Sequence, residues 1–160
     1  MTYDFKIEAA DKPTLYADLA SALEGLVAGE SDAIANMANA TGVIFETLPD
    51  VNWVGFYRNI DGELVLGPFQ GRPACIRIPF GTGVCGVAAA TRQVQRVEDV
   101  HAFPSHIACD SASNSEIVVP LIRDGELLGV LDIDSPKHAR FDAEDEAGVV
   151  RLAEIMARVI

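Results

Sequence analysis

Three cysteines, Cys75, Cys85 and Cys109, are the side chains of this sequence best suited to covalent chemistry. A secreted disulfide scaffold usually carries more of them, in an even number. In a reducing compartment, scattered thiols point to redox catalysis, nucleophilic catalysis or metal binding, with burial as small apolar side chains as the ordinary alternative. No pair has CxxC spacing. A zinc site built from cysteine with His101 and His106 lacks the tight ligand pairs that structural zinc prefers. Thiol reactivity follows the thiolate population. Cys85 falls in the first turn of a predicted helix, where the dipole lowers a thiol pKa. Cys109 falls in a polar, accessible stretch, although Asp110 beside it opposes thiolate formation. On these grounds the two rank level as nucleophiles.

A second set of groups is acidic. Asp132 and Asp134 are two residues apart on a predicted strand, so they share one face with Leu128 and Val130, while Leu131 and Ile133 point the other way. Glu116 lies on the neighbouring strand. Acids in so apolar a segment are costly to bury unless they bind something. Clustered carboxylates raise one another's pKa, so one stays protonated near neutrality and can donate to a substrate oxygen, while an ionised one holds an ammonium. The plainer alternative is a solvated sheet end. Trp53 and Tyr57 share a strand face, as core or as the apolar wall of a small pocket.

The turn Gly81-Thr82-Gly83-Val84-Cys85-Gly86 fits G-x-G-x-x-G, with Glu98-Asp99 following. Its surroundings read as hairpins rather than βαβ units, which argues against a dinucleotide site. Amides at the start of the helix that follows could still hold a small anion such as a carboxylate.

These groups need elements to position them. Pro13 opens a helix over about 13–28 with Leu15, Leu19, Leu23 and Leu26 on one face. A second helix over 31–47, capped by Ser31, groups Ile34, Met37, Ala38, Thr41 and Ile44. The two form a helical hairpin, about 13–47, joined at Gly29. Val51 to Tyr57 alternates as a strand, with Trp53, Gly55 and Tyr57 opposite Val54 and Phe56. Asp61-Gly62 turns the chain into a return strand at Leu64 to Leu66. Short strands follow at Cys75 to Pro79 and Val94 to Val97, flanking a helix over Thr82 to Arg92. Asp99 to Ser115 is loop-like, and such loops often carry function. Glu116 to Ile122 and Leu127 to Asp134 form a hairpin about Asp124-Gly125. The last helix, about 143–159, is capped by Asp142, with Phe141 as a staple and Val149, Leu152, Met156 and Val159 on its apolar face. The expected architecture is a single α+β domain over 1–160, a central antiparallel sheet with its pocket over about 51–135, flanked by helices.

At 160 residues, 49% of them hydrophobic, the chain can bury one sizeable core. Its formal net charge of −12 disfavours nucleic acid and anionic membrane surfaces. No apolar run approaches a membrane span. Met1-Thr2-Tyr3-Asp4 has neither a basic nor an apolar leader region, so a cytoplasmic location is expected.

Several segments carry a family likeness: Asn52-Trp53-Val54-Gly55-Phe56-Tyr57, Gly67-Pro68-Phe69-Gln70-Gly71, Gly81 to Gly86, His106-Ile107-Ala108-Cys109-Asp110, Ser113 to Pro120 and Leu131-Asp132-Ile133-Asp134-Ser135. Together they closely resemble the GAF-domain free methionine-(R)-sulfoxide reductases, from about Leu15 to the C-terminus. The resemblance implies a GAF fold and reduction of the free amino acid methionine-(R)-sulfoxide. It implies Cys109 as nucleophile, Cys75 as resolving thiol and Cys85 as the alternative resolving thiol. It maps the family's carboxylates onto Glu116, Asp132 and Asp134, and its aromatic wall onto Trp53 and Tyr57. It further implies a sulfenic acid, then a disulfide reduced by thioredoxin, with no metal or organic cofactor. A homodimer is compatible with the pattern. The reading from another class is a GAF module that senses a cyclic nucleotide or similar molecule without turnover, since Phe141-x-x-x-Asp145-Glu146 resembles part of the cyclic-nucleotide signature. That reading leaves the three cysteines unexplained.

Overall fold

The structure is a computed structural model and describes residues 6–105 and 111–160. Four helices, α1 (Lys12–Val27), α2 (Ala33–Thr47), α3 (Gly83–Thr91) and α4 (Ala143–Ala157), surround six strands. These are β1 (Trp53–Ile60), β2 (Glu63–Gln70), β3 (Arg77–Pro79), β4 (Gln95–Val97), β5 (Ser115–Arg123) and β6 (Glu126–Ser135). They form one sheet in the order β3-β2-β1-β6-β5-β4, and every pairing is antiparallel. The glycine-rich turn before α3 therefore sits in no βαβ unit, as its sequence surroundings indicate.

The sheet separates two apolar layers. Val54, Phe56, Ile117, Val119, Leu131 and Ile133 meet α1, α2 and α4 on one face. Trp53, Tyr57, Val118 and Val130 meet Cys85, Ala88 and Ala89 of α3 on the other. The expected alternation holds from Trp53 to Tyr57, since successive residues of an extended strand face opposite sides, whereas Val51 precedes the strand and packs in the first layer.

Local chemistry starts the helices. The Asp11 carboxylate accepts from the Thr14 amide at 2.8 Å at the start of α1. Asp142 caps α4, and the Asp145 side chain returns to the Asp142 amide at 2.9 Å, closing a capping box. Phe141, just ahead of that cap, is buried. The helix ends at Ala157, two residues before its expected end, with Val159 half-buried beyond it.

Four expectations are corrected. Asp32, not Ser31, caps α2, because its carboxylate accepts from the Ala35 amide at 2.8 Å. The buried face of α2 carries Asn36, Met37, Ala40, Thr41 and Ile44, and leaves Ile34 54% exposed and Ala38 exposed. Asn36 fixes that rotation by donating to the Glu30 and Val159 carbonyls, both at 3.1 Å. The return strand β2 runs well past Leu66: Pro68, which lacks an N–H, falls at a bulge opposite Phe56, where ladder bonding is interrupted. Finally, Leu128 does not share a face with Asp132. Leu121 pairs with Gly129 and Ile122 with Leu127, so Leu128 is an extra residue that breaks the alternation and packs in the first layer. Gly129 is required there because a Cβ would collide with the Tyr57 carbonyl oxygen.

Candidate active site

The face that carries α3 also carries a pocket. It is lined by Trp53 and Tyr57 from β1, Cys85 from α3, Glu116 from β5, and Asp132 and Asp134 from β6. Strand register assembles them. Asp134 stands opposite Trp53 on one side and Glu116 on the other, and Asp132 opposite Gly55 and Val118. Gly55 leaves the space that the Trp53 ring fills. A Cβ at position 55 would collide with that ring and come within 2.7 Å of Phe69 Cβ.

Trp53 is stacked between Phe69, at 5.4 Å between centroids, and Tyr57, at 5.9 Å. Both polar tips reach the segment after β2. The Trp53 indole donates to the Arg72 carbonyl at 3.0 Å, and the Tyr57 hydroxyl donates to the Cys75 carbonyl at 2.9 Å. The aromatic wall thus fixes the stretch that carries Cys75. Arg72, Pro73 and Ala74 from that stretch line the pocket. Cys75 itself is half-buried and disulfide-bonded, and Cys85 is a free thiol.

The acids and the thiol form a tight cluster on the pocket floor. Cys85 Sγ donates to Asp132 Oδ2 at 3.2 Å and lies 3.8 Å from Glu116 Oε1. Asp132 is 5% exposed and Glu116 8%. Burial pushes the Glu116 carboxyl well above its usual range, and the Asp132 charge adds to that. Burial and then the Asp134 charge do the same to Asp132. The Cys85 thiol is pushed up by burial and by both neighbouring carboxylates. The expected lowering by the helix dipole is therefore overturned: an anionic sulfur would face two acids in a dry site, and fixed partial charges at one helix end do not offset that. The level ranking of Cys85 with Cys109 falls with it, since Cys85 is held as a neutral thiol. Burial likewise raises the Tyr57 hydroxyl pKa, with Asp132 adding to the shift.

The glycine-rich turn is partly self-satisfied. Gly81 N–H donates to the Gly86 carbonyl at 2.7 Å, Thr82 N–H to the Pro79 carbonyl at 3.2 Å, and Gly83 N–H to Ser105 Oγ at 3.4 Å. The amides left to face an anion are those of Val84 and Cys85, which head α3 and lack intrahelical acceptors.

A GAF domain model matches residues 32–160 of this chain. The free methionine-R-sulfoxide reductase of Escherichia coli (strain K12) is 53% identical over 150 residues, 94% of this chain and 91% of that one. The one from Saccharomyces cerevisiae is 42% identical over 154 residues, 91% and 86% of the two chains. The X-ray structure of free methionine-R-sulfoxide reductase from Neisseria meningitidis in complex with its substrate has a TM-score of 0.94 at 47% identity, covering 98% of this chain and 95% of that one. The chain belongs to the GAF-domain family of free methionine-R-sulfoxide reductases.

Within that family frame, six of the residues singled out from sequence come together: Trp53, Tyr57, Cys85, Glu116, Asp132 and Asp134. Cys75 stands on the adjoining segment. Cys109 and His106 lie outside the described residues. His101 is not part of the cluster; its ring meets Asn114 Oδ1 at 3.3 Å. Three residues escaped the sequence reading. Phe69 completes the aromatic stack, Arg72 receives the Trp53 indole on its carbonyl, and Ser113 lines the pocket and accepts from the Asn52 amide at 3.2 Å. Their signal was present in the family segments around Gly67 to Gly71 and Ser113, but nothing in their spacing marks them chemically. The Phe141 to Glu146 stretch serves elsewhere: Asp145 is buried behind the opposite face of the sheet, bonded to Tyr16, Lys12 and Arg140. It is not available to a nucleotide. Among the described residues, Cys85, Glu116 and Asp132 are the group able to hold a metal ion. No helix there is long and apolar enough to cross a membrane.

Proposed function

We propose that this chain reduces free methionine-(R)-sulfoxide to methionine by thiol chemistry. The carrying observation is the pocket floor itself: two buried carboxyls whose pKa values burial pushes upward, beneath an aromatic wall tied to a disulfide-bonded Cys75. The family supplies the reaction class, and these groups supply what it needs. A thiolate at Cys109 attacks the sulfoxide sulfur, and a proton from Glu116 or Asp132 goes to the sulfoxide oxygen as negative charge develops there. Methionine leaves with two electrons more than the sulfoxide had, and Cys109 becomes a sulfenic acid. The Cys75 thiol attacks that sulfur and expels water, giving a Cys75–Cys109 disulfide. A thioredoxin dithiol reduces it and is itself oxidised. The engaged state of Cys75 and the free state of Cys85 support Cys75 rather than Cys85 as the resolving thiol.

Selectivity for the free amino acid follows from charge. Asp134 offers a carboxylate to the substrate ammonium, and the Val84 and Cys85 amides face its carboxylate. Trp53 and Tyr57 enclose the S-methyl end. A peptide-bonded residue lacks both charges and forgoes both charge-assisted contacts, each worth about 1.5–3 kcal/mol.

Turnover with each sulfoxide epimer and thioredoxin tests this reading. Free methionine-(R)-sulfoxide turns over, while the S epimer and N-acetyl methionine sulfoxide do not. Pre-reduced Cys75→Ser releases about one methionine per chain and then stops, and Cys109→Ser releases none. Efficient reduction of oxidised protein, or a normal burst from Cys109→Ser, overturns the assignment.

A further inference from the structure

The pocket floor has the dimensions of a cation site. Cys85, Glu116 and Asp132 each offer one ligand atom, and the three atoms lie within 4.8 Å of one another. A tetrahedral ion with a metal–sulfur bond of about 2.3 Å and metal–oxygen bonds of about 2.0 Å sets sulfur and oxygen about 3.5 Å apart. The observed separations, 3.2 Å to Asp132 and 3.8 Å to Glu116, bracket that value. A second observation is independent of this spacing. Asp132 Oδ1 is buried and has no hydrogen-bond partner, although the residue is only 5% exposed. No lysine or arginine pairs with Glu116 or Asp132 among the described residues. Protons are therefore what these groups hold in place of a cationic partner, and a metal ion that enters exchanges with those protons.

We propose that Cys85, Glu116 and Asp132 bind a thiophilic divalent cation of the zinc class. The ion bonds Cys85 Sγ and one oxygen from each carboxylate, and its fourth position opens into the pocket. The thiol proton and any carboxyl proton pass to solvent, and nothing is oxidised or reduced. A thiolate ligand and a set of three protein donors favour zinc or cobalt over calcium and magnesium, which need six or more oxygens. An ion at this point shares the floor on which the sulfoxide is placed. On the reductase reading given above, and only on that reading, it therefore competes with substrate. A thiol repair enzyme would then be stopped by loosely held zinc.

Cobalt is the probe, used with the Cys75 disulfide intact so that Cys85 is the thiol being read. Titration gives one Co2+ per chain and a thiolate-to-cobalt charge-transfer band in the near ultraviolet. Zn2+ bleaches the band at one equivalent, and Mg2+ in large excess does not. Cys85→Ser removes the band. Asp132→Asn retains the thiol and weakens Co2+ binding at least tenfold. Thermal melts of both variants establish that they are folded, and Zn2+ raises the wild-type melting temperature but not theirs. A missing band in the wild type, or a band that survives in Cys85→Ser, overturns the proposal. Competition separates the two readings. Cobalt bound at Cys85 but indifferent to methionine sulfoxide leaves the ion site standing and counts against the substrate assignment. Turnover without cobalt binding does the reverse.

Discussion

Two buried acids, one on each side of the sheet, are treated in opposite ways. Asp145 is 1% exposed and fully provided for. Lys12 Nζ lies 2.6 Å from it, Arg140 donates at 3.1 Å, the Tyr16 hydroxyl at 2.8 Å, and the Asp142 amide at 2.9 Å. These contacts tie α1 to α4 and to the turn before it. Asp132, at 5% exposed, has a thiol and a second acid for company, and one of its oxygens has no partner. Burial is nearly equal, so burial alone does not separate a structural carboxylate from a functional one. The difference lies in compensation. A fold that can build a four-donor cage around Asp145 leaves Asp132 and Glu116 without a cationic partner and with raised pKa values, which is costly for stability and useful to a group that must give a proton up.

The largest effect is expected at the compensated acid. Asp145→Asn leaves the nearly buried Arg140 without its counter-charge and Lys12 with Asp142 alone, and breaking a buried pair from one side costs about 3–5 kcal/mol. Chemical denaturation measures it. The fraction that folds turns over at a rate near wild type, because the network lies across the sheet from the pocket. Asp132→Asn inverts the pattern. Methionine sulfoxide turnover falls by about a hundredfold or more, the usual scale for losing a positioned acid, while the melting temperature holds or rises. Glu116→Gln behaves likewise. If Asp132→Asn unfolds the protein and Asp145→Asn lowers only the rate, the two acids have been given each other's roles.

Much of this contrast was legible in the sequence. Two-residue spacing put Asp132 and Asp134 on one face of an apolar strand, and alternation put Trp53 and Tyr57 on the same side of the sheet. Asp-Gly turns fixed both hairpins, and the Asp142 cap was visible from its neighbours. Illegible were the features that depend on distant partners. The rotation of α2 follows from Asn36 reaching a carbonyl 123 residues away. The Leu128 bulge leaves no trace in a hydrophobic pattern that reads equally well without it. The state of Cys85 is hidden as well, because its own helix promises a low pKa whereas its environment comes from strands 31 and 47 residues further on. The cage around Asp145 is equally invisible in sequence, because its donors lie as far off as Lys12 and Tyr16.

Tyr16→Phe sharpens the comparison with a smaller change. It removes one donor from Asp145 and keeps the ring. Lys12 and Arg140 remain, so the loss is about 1.5–3 kcal/mol, the range for a hydrogen bond to a charged group. Urea unfolding reads it as a lower midpoint at unchanged slope. The pocket counterpart, Tyr57→Phe, frees the Cys75 carbonyl from its 2.9 Å donor. It should slow the thioredoxin-dependent step more than the first release of methionine, because the resolving segment is what it holds. Equal slowing of both steps would put the Tyr57 hydroxyl on the substrate instead.

The smallest effect is in the pH dependence of stability, and here the two regions pull in different windows. The Asp142 carboxyl lies below its usual range, mainly through its hydrogen bond from Lys12, with the Asp145 amide next. A depressed carboxyl contributes stability that is present above its unfolded pKa of about 3.9 and is lost as pH falls through the folded value. Glu116 and Asp132 lie above their usual ranges. When the folded value is raised, the unfolded chain releases its protons first, from about pH 4 upward, while the folded chain keeps them. Stability from these two groups is therefore greatest below about pH 4 and declines as pH rises toward their folded values. The wild-type melting temperature should fall between pH 5 and pH 8. Glu116→Gln and Asp132→Asn should each flatten that fall, since an amide does not titrate, and neither should alter the loss below pH 4. Differential scanning calorimetry across that range decides it. A fall of equal steepness in both variants would mean that the pocket acids are ionised in the folded protein near neutrality, and that the proton given to the sulfoxide oxygen comes from another group.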